Sequence, residues 1–348
     1  MQFVTDHPSI IVIIAAAISF LVTFILAPPV IRFLHEKKYG QAIREEGPDS
    51  HKEKQGTPTM GGVVILAGVI VGTLASLLTF ALLMTVRPSQ IFDLMFSLAL
   101  LALTIAFSSI GVIDDWGKIK RGRNLGLKAR EKLILQFITA TLFVAVLSWG
   151  MHTDTTIGIP GFGEFNIGIW YWPFAILFIT AFSNAVNLTD GLDGLASGTT
   201  VLAASALGFA AWYLQKGDSL KGPGISVFLV CLAAACLAFL CFNRHPAKVF
   251  MGDTGSLAIG AALAGAALAM KQEWLLLIIG LIFLLEMFSV IIQVISFKLT
   301  GKRVFRMSPY HHHLELGGWS EVKIVTRAWW LGLILALTGT AIFFFLHH

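Results

Sequence analysis

Long apolar stretches alternate with short polar ones along this chain, and most of the apolar stretches are long enough to cross a bilayer as helices. Ten stretches are recognisable, and they cover residues 10–31, 61–84, 93–113, 132–150, 169–187, 197–214, 225–242, 256–270, 274–297 and 327–346. The alternating strands of a porin barrel are missing from the pattern. The sequence therefore predicts an all-α polytopic membrane protein of about ten transmembrane helices, with residues 1–348 forming a single domain in a lipid bilayer.

One stretch between the predicted spans has a different period. In residues 151–168 polar and apolar residues alternate around Pro160–Gly161, a pair that favours a turn. This pattern predicts a small β-hairpin outside the helical bundle, to which no chemistry is assigned.

The basic residues are distributed unevenly between the two sets of loops. Of the 25 Lys and Arg residues, 21 lie in or beside one set of alternate loops, which comprises residues 32–60, 114–131, 188–196, 243–255 and 298–326. Basic loops face the cytoplasm, so this set is predicted to be cytoplasmic, and the hairpin and both termini periplasmic. The net charge of +5 then belongs to one membrane face and indicates no nucleic-acid partner. It serves orientation alone, or it also attracts anionic lipid or substrate.

Five aspartates lie just past the ends of apolar stretches, all on this predicted cytoplasmic side. They are Asp114, Asp115, Asp190, Asp193 and Asp253. Carboxylates near a bilayer are costly and mark functional sites. Carboxylates without nearby thiolates suit a hard cation such as Mg²⁺, whose usual partner is a phosphate. The pattern predicts metal-assisted phosphate chemistry at a membrane surface.

Each acidic segment also has a purely structural interpretation. Asp114 and Asp115 would be interfacial helix caps that meet the basic loop beyond them. Asp190 and Asp193 share a face if they are helical, but Gly191 and the glycine that follows Asp193 favour a tight turn. Asp253 would be the N-cap of the next helix. Single segments leave these alternatives open, whereas their grouping on one side favours a site.

Polar residues near the end of the chain extend the candidate site. His311, His312 and His313 are consecutive, so on a helix they cannot all point the same way, and a zinc triad is not expected. Imidazoles near phosphate are the favoured interpretation, and a surface histidine run is the alternative. Glu286 and Gln293 lie seven residues apart inside an apolar stretch, hence on one helix face. An intramembrane Glu there would support the site, bend the helix or contact a neighbouring helix.

Five motifs, in order along nearly the whole chain, resemble those of the phospho-N-acetylmuramoyl-pentapeptide transferase family. They are GTPTMGG (56–62), DDW (114–116), NAVNLTDGLDGLA (184–196), FMGDTGS (250–256) and YHHHLELGGW (310–319). The resemblance implies transfer of phospho-N-acetylmuramoyl-pentapeptide from its UDP conjugate to undecaprenyl phosphate, giving lipid I and UMP. It also implies Mg²⁺ dependence, a homodimer and a place in the bacterial inner membrane, with the active site on the cytoplasmic side.

The same resemblance assigns roles to individual residues. The catalytic residues that it implies are Asp114, Asp115, Asp253, His311, His312 and His313, with Asp253 and Asp115 as metal ligands. The substrate-binding residues that it implies are Lys54, Lys118, Lys128, Asn187, Asp190, Asp193, Asn243, Phe250 and Gln293. Asp114 or Asp115 would take the proton of the lipid phosphate, or an aspartate would attack first and form a covalent intermediate.

Two other functions compete with this one. A transferase that uses UDP-N-acetylglucosamine as donor belongs to the same superfamily. A secondary transporter would use membrane acids for ion coupling, but transporters place charges near the midplane and often contain inverted repeats. In this chain most of the acids lie at one edge and no repeat is evident, so the transferase is favoured.

Overall fold

The computed structural model describes residues 8–37, 39, 54, 56–83, 88–121, 126–215 and 223–347. Within these residues ten helices are long and apolar enough to cross a membrane, which confirms the predicted all-α membrane fold. The composition of residues 40–62, rich in Gly, Pro, Lys and Arg, predicts a flexible loop that could close over an anionic ligand, and residues 40–53 and 55 of it lie outside the described residues.

Twelve α-helices are described, and they are numbered in chain order. They are α1 (Pro8–Glu36), α2 (Gly62–Leu83), α3 (Pro88–Arg121), α4 (Ala129–Ala145), α5 (Tyr171–Thr189), α6 (Leu195–Gln215), α7 (Pro223–Asn243), α8 (Gly252–Met270), α9 (Glu273–Ile279), α10 (Leu281–Thr300), α11 (Tyr310–Glu315) and α12 (Glu321–His347). A π-helical turn, Val146–Gly150, extends α4, and a 3₁₀ turn, Gly168–Trp170, precedes α5. The strands are β1 (Thr156–Ile159) and β2 (Gly163–Asn166).

The three main differences from the predicted spans concern α3, α12 and the span 274–297. Helix α3 continues past residue 113 to Arg121, so Asp114 and Asp115 lie on the helix body. Helix α12 begins at Glu321, ahead of the predicted residue 327. The predicted span 274–297 is broken at Gly280, whose backbone leaves the helical region at φ −95° and ψ 10°. Hydropathy detects the apolar part of a helix, whereas polar turns that continue the same helix leave no hydropathy signal.

Helix α8 lies at the centre of the bundle, where it packs against α3, α5 and α2. Almost all of its residues are buried, and most are Gly or Ala. Small residues let helix backbones approach closely. A Cβ at Gly260 would overlap the backbone of Phe182 on α5, and one at Gly111 on α3 would overlap the backbone at Asp253. These close approaches fix the N-terminal end of α8, where Asp253 lies.

The predicted hairpin is confirmed, and it lies at the opposite end of α8. Strands β1 and β2 pair antiparallel, with Thr156 opposite Asn166. Lys271, just past the end of α8, lies with its ammonium 3.2 Å from Asp154 Oδ1 and 3.8 Å from the centre of the Tyr171 ring. Because α8 has 19 residues, this corner lies about 28 Å from the N-terminal end of α8, where Asp253 lies.

A buried carboxylate at this corner is expected to make stability depend on pH. Glu273 is 1% exposed and accepts a hydrogen bond from the Tyr171 hydroxyl at 3.2 Å. Burial raises the pKa of Glu273 to about 7. A carboxyl whose folded-state pKa is raised favours folding below its ordinary pKa, and this contribution is lost as the pH rises through 7.

We therefore expect the free energy of unfolding to fall by about 3 kcal/mol between pH 4.5 and pH 8. Glu273→Gln should flatten that dependence, measured as the thermal unfolding midpoint at each pH. Glu164, exposed on β2, provides the control Glu164→Gln, which should leave the pH profile unchanged. An unchanged profile in Glu273→Gln would contradict the assignment.

Candidate active site

Three of the predicted aspartates converge where the end of α3 meets the start of α8. The Oδ2 atom of Asp115 accepts hydrogen bonds from the Thr254 backbone N–H at 3.0 Å and from the Thr254 hydroxyl at 2.8 Å. Asp115 thus caps α8, a helix distant from it in sequence. Asp114, Asp115 and Asp253 offer carboxylate oxygens that lie within 4.8 Å of one another. The close approach of the two helices at Gly111 makes this convergence possible.

Two lysines neutralise much of this negative charge. The Lys118 ammonium lies 2.6 Å from Asp114 Oδ2, 3.1 Å from Asp253 Oδ2 and 3.5 Å from Asp115 Oδ1. Lys132, in the first turn of α4, lies 2.6 Å from Asp253 Oδ2. Three carboxylates against two ammonium groups leave a local excess of negative charge. The arrangement suits both anionic phosphates, held by the lysines, and a cation, held by the acids.

The donor set fits a hard divalent cation. Mg²⁺ prefers carboxylate oxygens, and three of them from separate side chains lie within reach of one ion. The Lys118 ammonium lies among these same oxygens, so an arriving cation would compete with it. Asp115 and Asp253 are the residues that would hold the ion.

Lys132 is a site residue that the sequence analysis did not single out. It entered that analysis only as one of the basic residues that set the orientation. The sequence signal that could have identified Lys132 is its position at the very start of an apolar stretch, four residues after Lys128. Lys128 itself is exposed at the N-cap of α4, where its backbone N–H donates to Glu131 at 3.0 Å.

Replacing Lys132 with methionine is expected to lower kcat/KM for the transfer reaction about tenfold to hundredfold. The reason is the loss of a charge-assisted hydrogen bond to Asp253, worth about 1.5–3 kcal/mol. The measurement is the steady-state rate of lipid product formation. Arg130→Met removes an exposed charge two residues away and is the matched control. Equal activity in both variants would show that Lys132 has no role in the reaction.

Asn187 and Asp190 extend the acidic group from the end of α5. The Asn187 amide donates to Asp253 Oδ1 and to Ser256 Oγ, both at 2.8 Å. Asp190 follows α5 directly, and burial raises its pKa well above the ordinary value, with the charges of Asp253 and Asp115 adding to that rise. Asp190 therefore lies in the field of the same carboxylates, as the sequence pattern predicts.

Asp193 lies in a second cluster, although only three residues separate it from Asp190. The chain turns between them, so the turn interpretation holds and the shared helix face does not. Asp193 Oδ1 lies 2.6 Å from the Lys54 ammonium, which is also 2.6 Å from Glu321 Oε1. The Nδ1 atom of His245 lies 3.3 Å from Asp193 Oδ2. Glu321 and His245 were not predicted as site residues, and their contacts bring α12 and the segment after α7 to this turn.

Two further predicted residues support the backbone around this turn. Asn243 is 2% exposed; its Oδ1 accepts from the Ser197 hydroxyl at 2.8 Å and from the Gly194 N–H at 3.2 Å. The backbone of Phe250 pairs with the GTPTMGG segment: its N–H donates to the Pro58 carbonyl oxygen and its carbonyl oxygen accepts from the Gly61 N–H, each at 2.8 Å. The GTPTMGG segment is thereby fixed beside the start of α8.

The three histidines diverge, as their consecutive positions predict. Nδ1 of His311 lies 3.1 Å from Glu286 Oε2, and His312 Nδ1 lies 2.7 Å from Glu315 Oε2. His313 Nδ1 accepts a hydrogen bond from the backbone N–H of residue 306 at 3.1 Å. The Gln293 side chain bonds to the backbone at residues 304 and 305 and so supports the segment that leads to the histidines.

Comparisons with known proteins connect this site to a family. Residues 97–271 match the family described as Glycosyl transferase family 4, and residues 54–66 match Phospho-N-acetylmuramoyl-pentapeptide-transferase signature 1. The phospho-N-acetylmuramoyl-pentapeptide-transferase of Desulforamulus reducens is 48% identical over 94% of this chain and 95% of its own length. The protein of that name from Geobacillus thermodenitrificans is 47% identical over 95% of this chain and 98% of its own length. The one from Bacillus subtilis is 46% identical over 94% of this chain and 97% of its own length. The chain belongs to the phospho-N-acetylmuramoyl-pentapeptide transferase family.

The matched ranges coincide with the two clusters. The longer match covers α3 to α8, and therefore Asp114, Asp115 and Asp253 together with their two lysines. The signature covers Lys54, which pairs with Asp193, and the whole GTPTMGG segment, which pairs with Phe250. Family membership thus identifies the protein as a transferase and agrees with the resemblance of its motifs.

Proposed function

We propose that this protein transfers phospho-N-acetylmuramoyl-pentapeptide from its UDP conjugate to undecaprenyl phosphate, releasing UMP and forming lipid I, with Mg²⁺ as cofactor. The observation that carries the proposal is the group of Asp114, Asp115 and Asp253 with Lys118 and Lys132 at one end of a membrane bundle. Relatives that carry this activity in their name match almost the full length of the chain. Residues 1–348 act as one transferase domain in this proposal.

The reaction brings two anions together, and the lysines lower the cost of that approach. An oxygen of the lipid phosphate attacks the sugar-linked phosphorus, and the phosphoanhydride bond to UMP breaks. Lys118 and Lys132 lie beside the acids and can hold the phosphate oxygens while charge moves to the leaving group. When bound, Mg²⁺ neutralises charge on the diphosphate.

The proton left on the lipid phosphate is assigned to Asp114. Asp115 is held by Thr254 through two hydrogen bonds, which suits a fixed ligand better than a base. Asp114 accepts one backbone hydrogen bond, at Oδ1 from Leu127 N–H at 2.7 Å, while its Oδ2 lies 2.6 Å from the Lys118 ammonium, which a substrate phosphate can draw away. A carboxylate so released can accept a proton.

The location of the site follows from the two substrates. The donor is soluble and the acceptor is a lipid with its phosphate at the interface, so the acidic end of the bundle is proposed to face the cytoplasm of a bacterial cell. The excess of basic residues in the loops of that side supports this orientation. We further propose that the protein forms a homodimer in the inner membrane, which the mass of the detergent-solubilised protein would test.

The decisive experiment is transfer by purified protein, with and without Mg²⁺. The muramoyl-pentapeptide donor and UDP-N-acetylglucosamine are offered separately, with undecaprenyl phosphate as acceptor. Mg²⁺-dependent lipid I from the first donor alone is expected. Product from UDP-N-acetylglucosamine alone would assign the protein to the alternative transferase activity of the same superfamily. Inactivity of folded protein with both donors would refute the proposal.

A further inference from the structure

Two side chains on one face of α10, Glu286 and Gln293, contact the segment 304–313 that carries the three histidines. Gln293 bonds to the backbone N–H groups of Val304 and Phe305 at 3.0 and 2.9 Å. Two turns earlier on the same face, Glu286 Oε2 lies 3.2 Å from the backbone N of His311 and 3.1 Å from its ring Nδ1. The first contact places the loop, whereas the second reaches the imidazole itself.

The Glu286 contact determines which ring nitrogen of His311 carries hydrogen. An ionised carboxylate only accepts hydrogen bonds, so the Nδ1 atom that lies against it is the donor. Both side chains are buried, at 7% and 1% exposed, and water does not compete strongly for this bond. The imidazole therefore keeps its Nδ1–H, and Nε2 is the atom left for another partner.

The His311 Nε2 atom lies against Gly191, in the turn between Asp190 of the first cluster and Asp193 of the second. It is buried and has no hydrogen-bond partner within the described residues. A Cβ at Gly191 would overlap both Nε2 and Cε1, so glycine is required where the ring meets this turn. The ring centre of His312 lies 4.2 Å from that of His311. A buried polar atom without a partner is costly, and a ligand at the turn would satisfy it.

We propose that Glu286 is a positioning residue for the transfer reaction: it holds His311 so that Nε2–H donates a hydrogen bond to the substrate diphosphate. The proposal rests on the function proposed above and deepens it. Nε2 carries a hydrogen to donate when the ring is an imidazolium, which is the form that a carboxylate against Nδ1–H stabilises, and this cation would face the anionic substrate. The bond involves no proton transfer. Its strength rises as charge builds on the diphosphate oxygens during transfer.

The test replaces Glu286 with glutamine, which keeps the shape and removes the charge. We expect kcat to fall at least a hundredfold, while KM for the UDP donor stays within about threefold, because the lost interaction acts in the transition state. In a His311→Ala background the same replacement should have no further effect. A purely structural Glu286 would lower activity in both backgrounds.

A second measurement reads the ring directly and needs no activity. In wild-type protein with ¹⁵N-labelled histidine, the signals lost in His311→Ala identify its two ring nitrogens. We expect Nδ1 to carry hydrogen in wild type, and we expect that preference to be lost in Glu286→Gln. Ser289→Ala, which removes a hydroxyl bonded to the Glu286 backbone oxygen, is the control and should keep kcat within twofold.

The outcomes separate this inference from the proposed function. A wild type that forms no lipid I refutes the function, and the ring signals still report on the Glu286 contact. Active wild type with active Glu286→Gln refutes the inference alone. So does a wild-type His311 whose hydrogen is on Nε2 while Nδ1 is bare.

Discussion

Replacing Asp253 with asparagine is expected to lower kcat for lipid I formation by roughly 10³-fold or more. The Asp253 carboxylate lies 2.6 Å from the Lys132 ammonium and 3.1 Å from that of Lys118, and it accepts from the Asn187 amide at 2.8 Å. These three partners are all donors, so the amide nitrogen of asparagine would place a donor against at least one of them. The variant also removes one of the charges that would hold Mg²⁺.

The measurement is the rate of product formation across a Mg²⁺ titration. We expect the residual activity of Asp253→Asn to need much more Mg²⁺ than wild type. Asp154→Asn makes the same change at the hairpin end, where the residue is largely exposed, and should keep wild-type activity and Mg²⁺ dependence. If Asp253→Asn kept a tenth of wild-type activity at ordinary Mg²⁺, the assignment of this carboxylate would be wrong.

Replacing Gly111 with alanine is expected to reduce activity about a hundredfold without touching any charged group. The new methyl would overlap the backbone carbonyl of Asp253 and the N–H of Thr254, and backbone atoms cannot rotate away. The start of α8 must then move, and a misplacement of about 1 Å costs on the order of 10²-fold in rate. Overpacking should also lower the free energy of unfolding by about 1–3 kcal/mol.

Activity and thermal midpoint are measured together in this case. Gly117→Ala is the matched control, because it lies on the same helix and its new methyl would meet Gly126 only at an ordinary 3.5 Å. That variant should fold at least as well as wild type, since alanine favours helix over glycine. Wild-type activity in Gly111→Ala would show that α8 tolerates displacement at its start.

The helices themselves were largely predictable, and their ends were not. A long apolar run has few alternatives to a membrane helix, because an unpaired backbone in hydrocarbon is costly. Polar turns at either end carry no such constraint. The extension of α3 to Arg121 and the start of α12 at Glu321 were therefore missed, and both bring charged residues to the site.

The grouping of site residues was predictable only in part. Asp114, Asp115 and Asp253 follow or begin apolar runs, and membrane topology alone brings such positions to one face. Asp190 and Asp193 belong to one motif, yet they lie in different clusters because the backbone turns between them. A turn reverses side-chain directions within three residues, and no hydropathy pattern records that.

The sequence by itself determined that this chain spans a membrane, that the five aspartates of its motifs lie on one side and which family its motifs resemble, since each depends on residue type and order. Only the tertiary structure decided that Asp115 caps α8, that Lys132 joins Asp253 and that Glu286 holds His311. Each of these contacts joins residues far apart or on separate elements, and the packing of small residues along the helices sets their distances. Such packing depends on all the helices at once, so the chemistry of this site is specified by the assembled bundle.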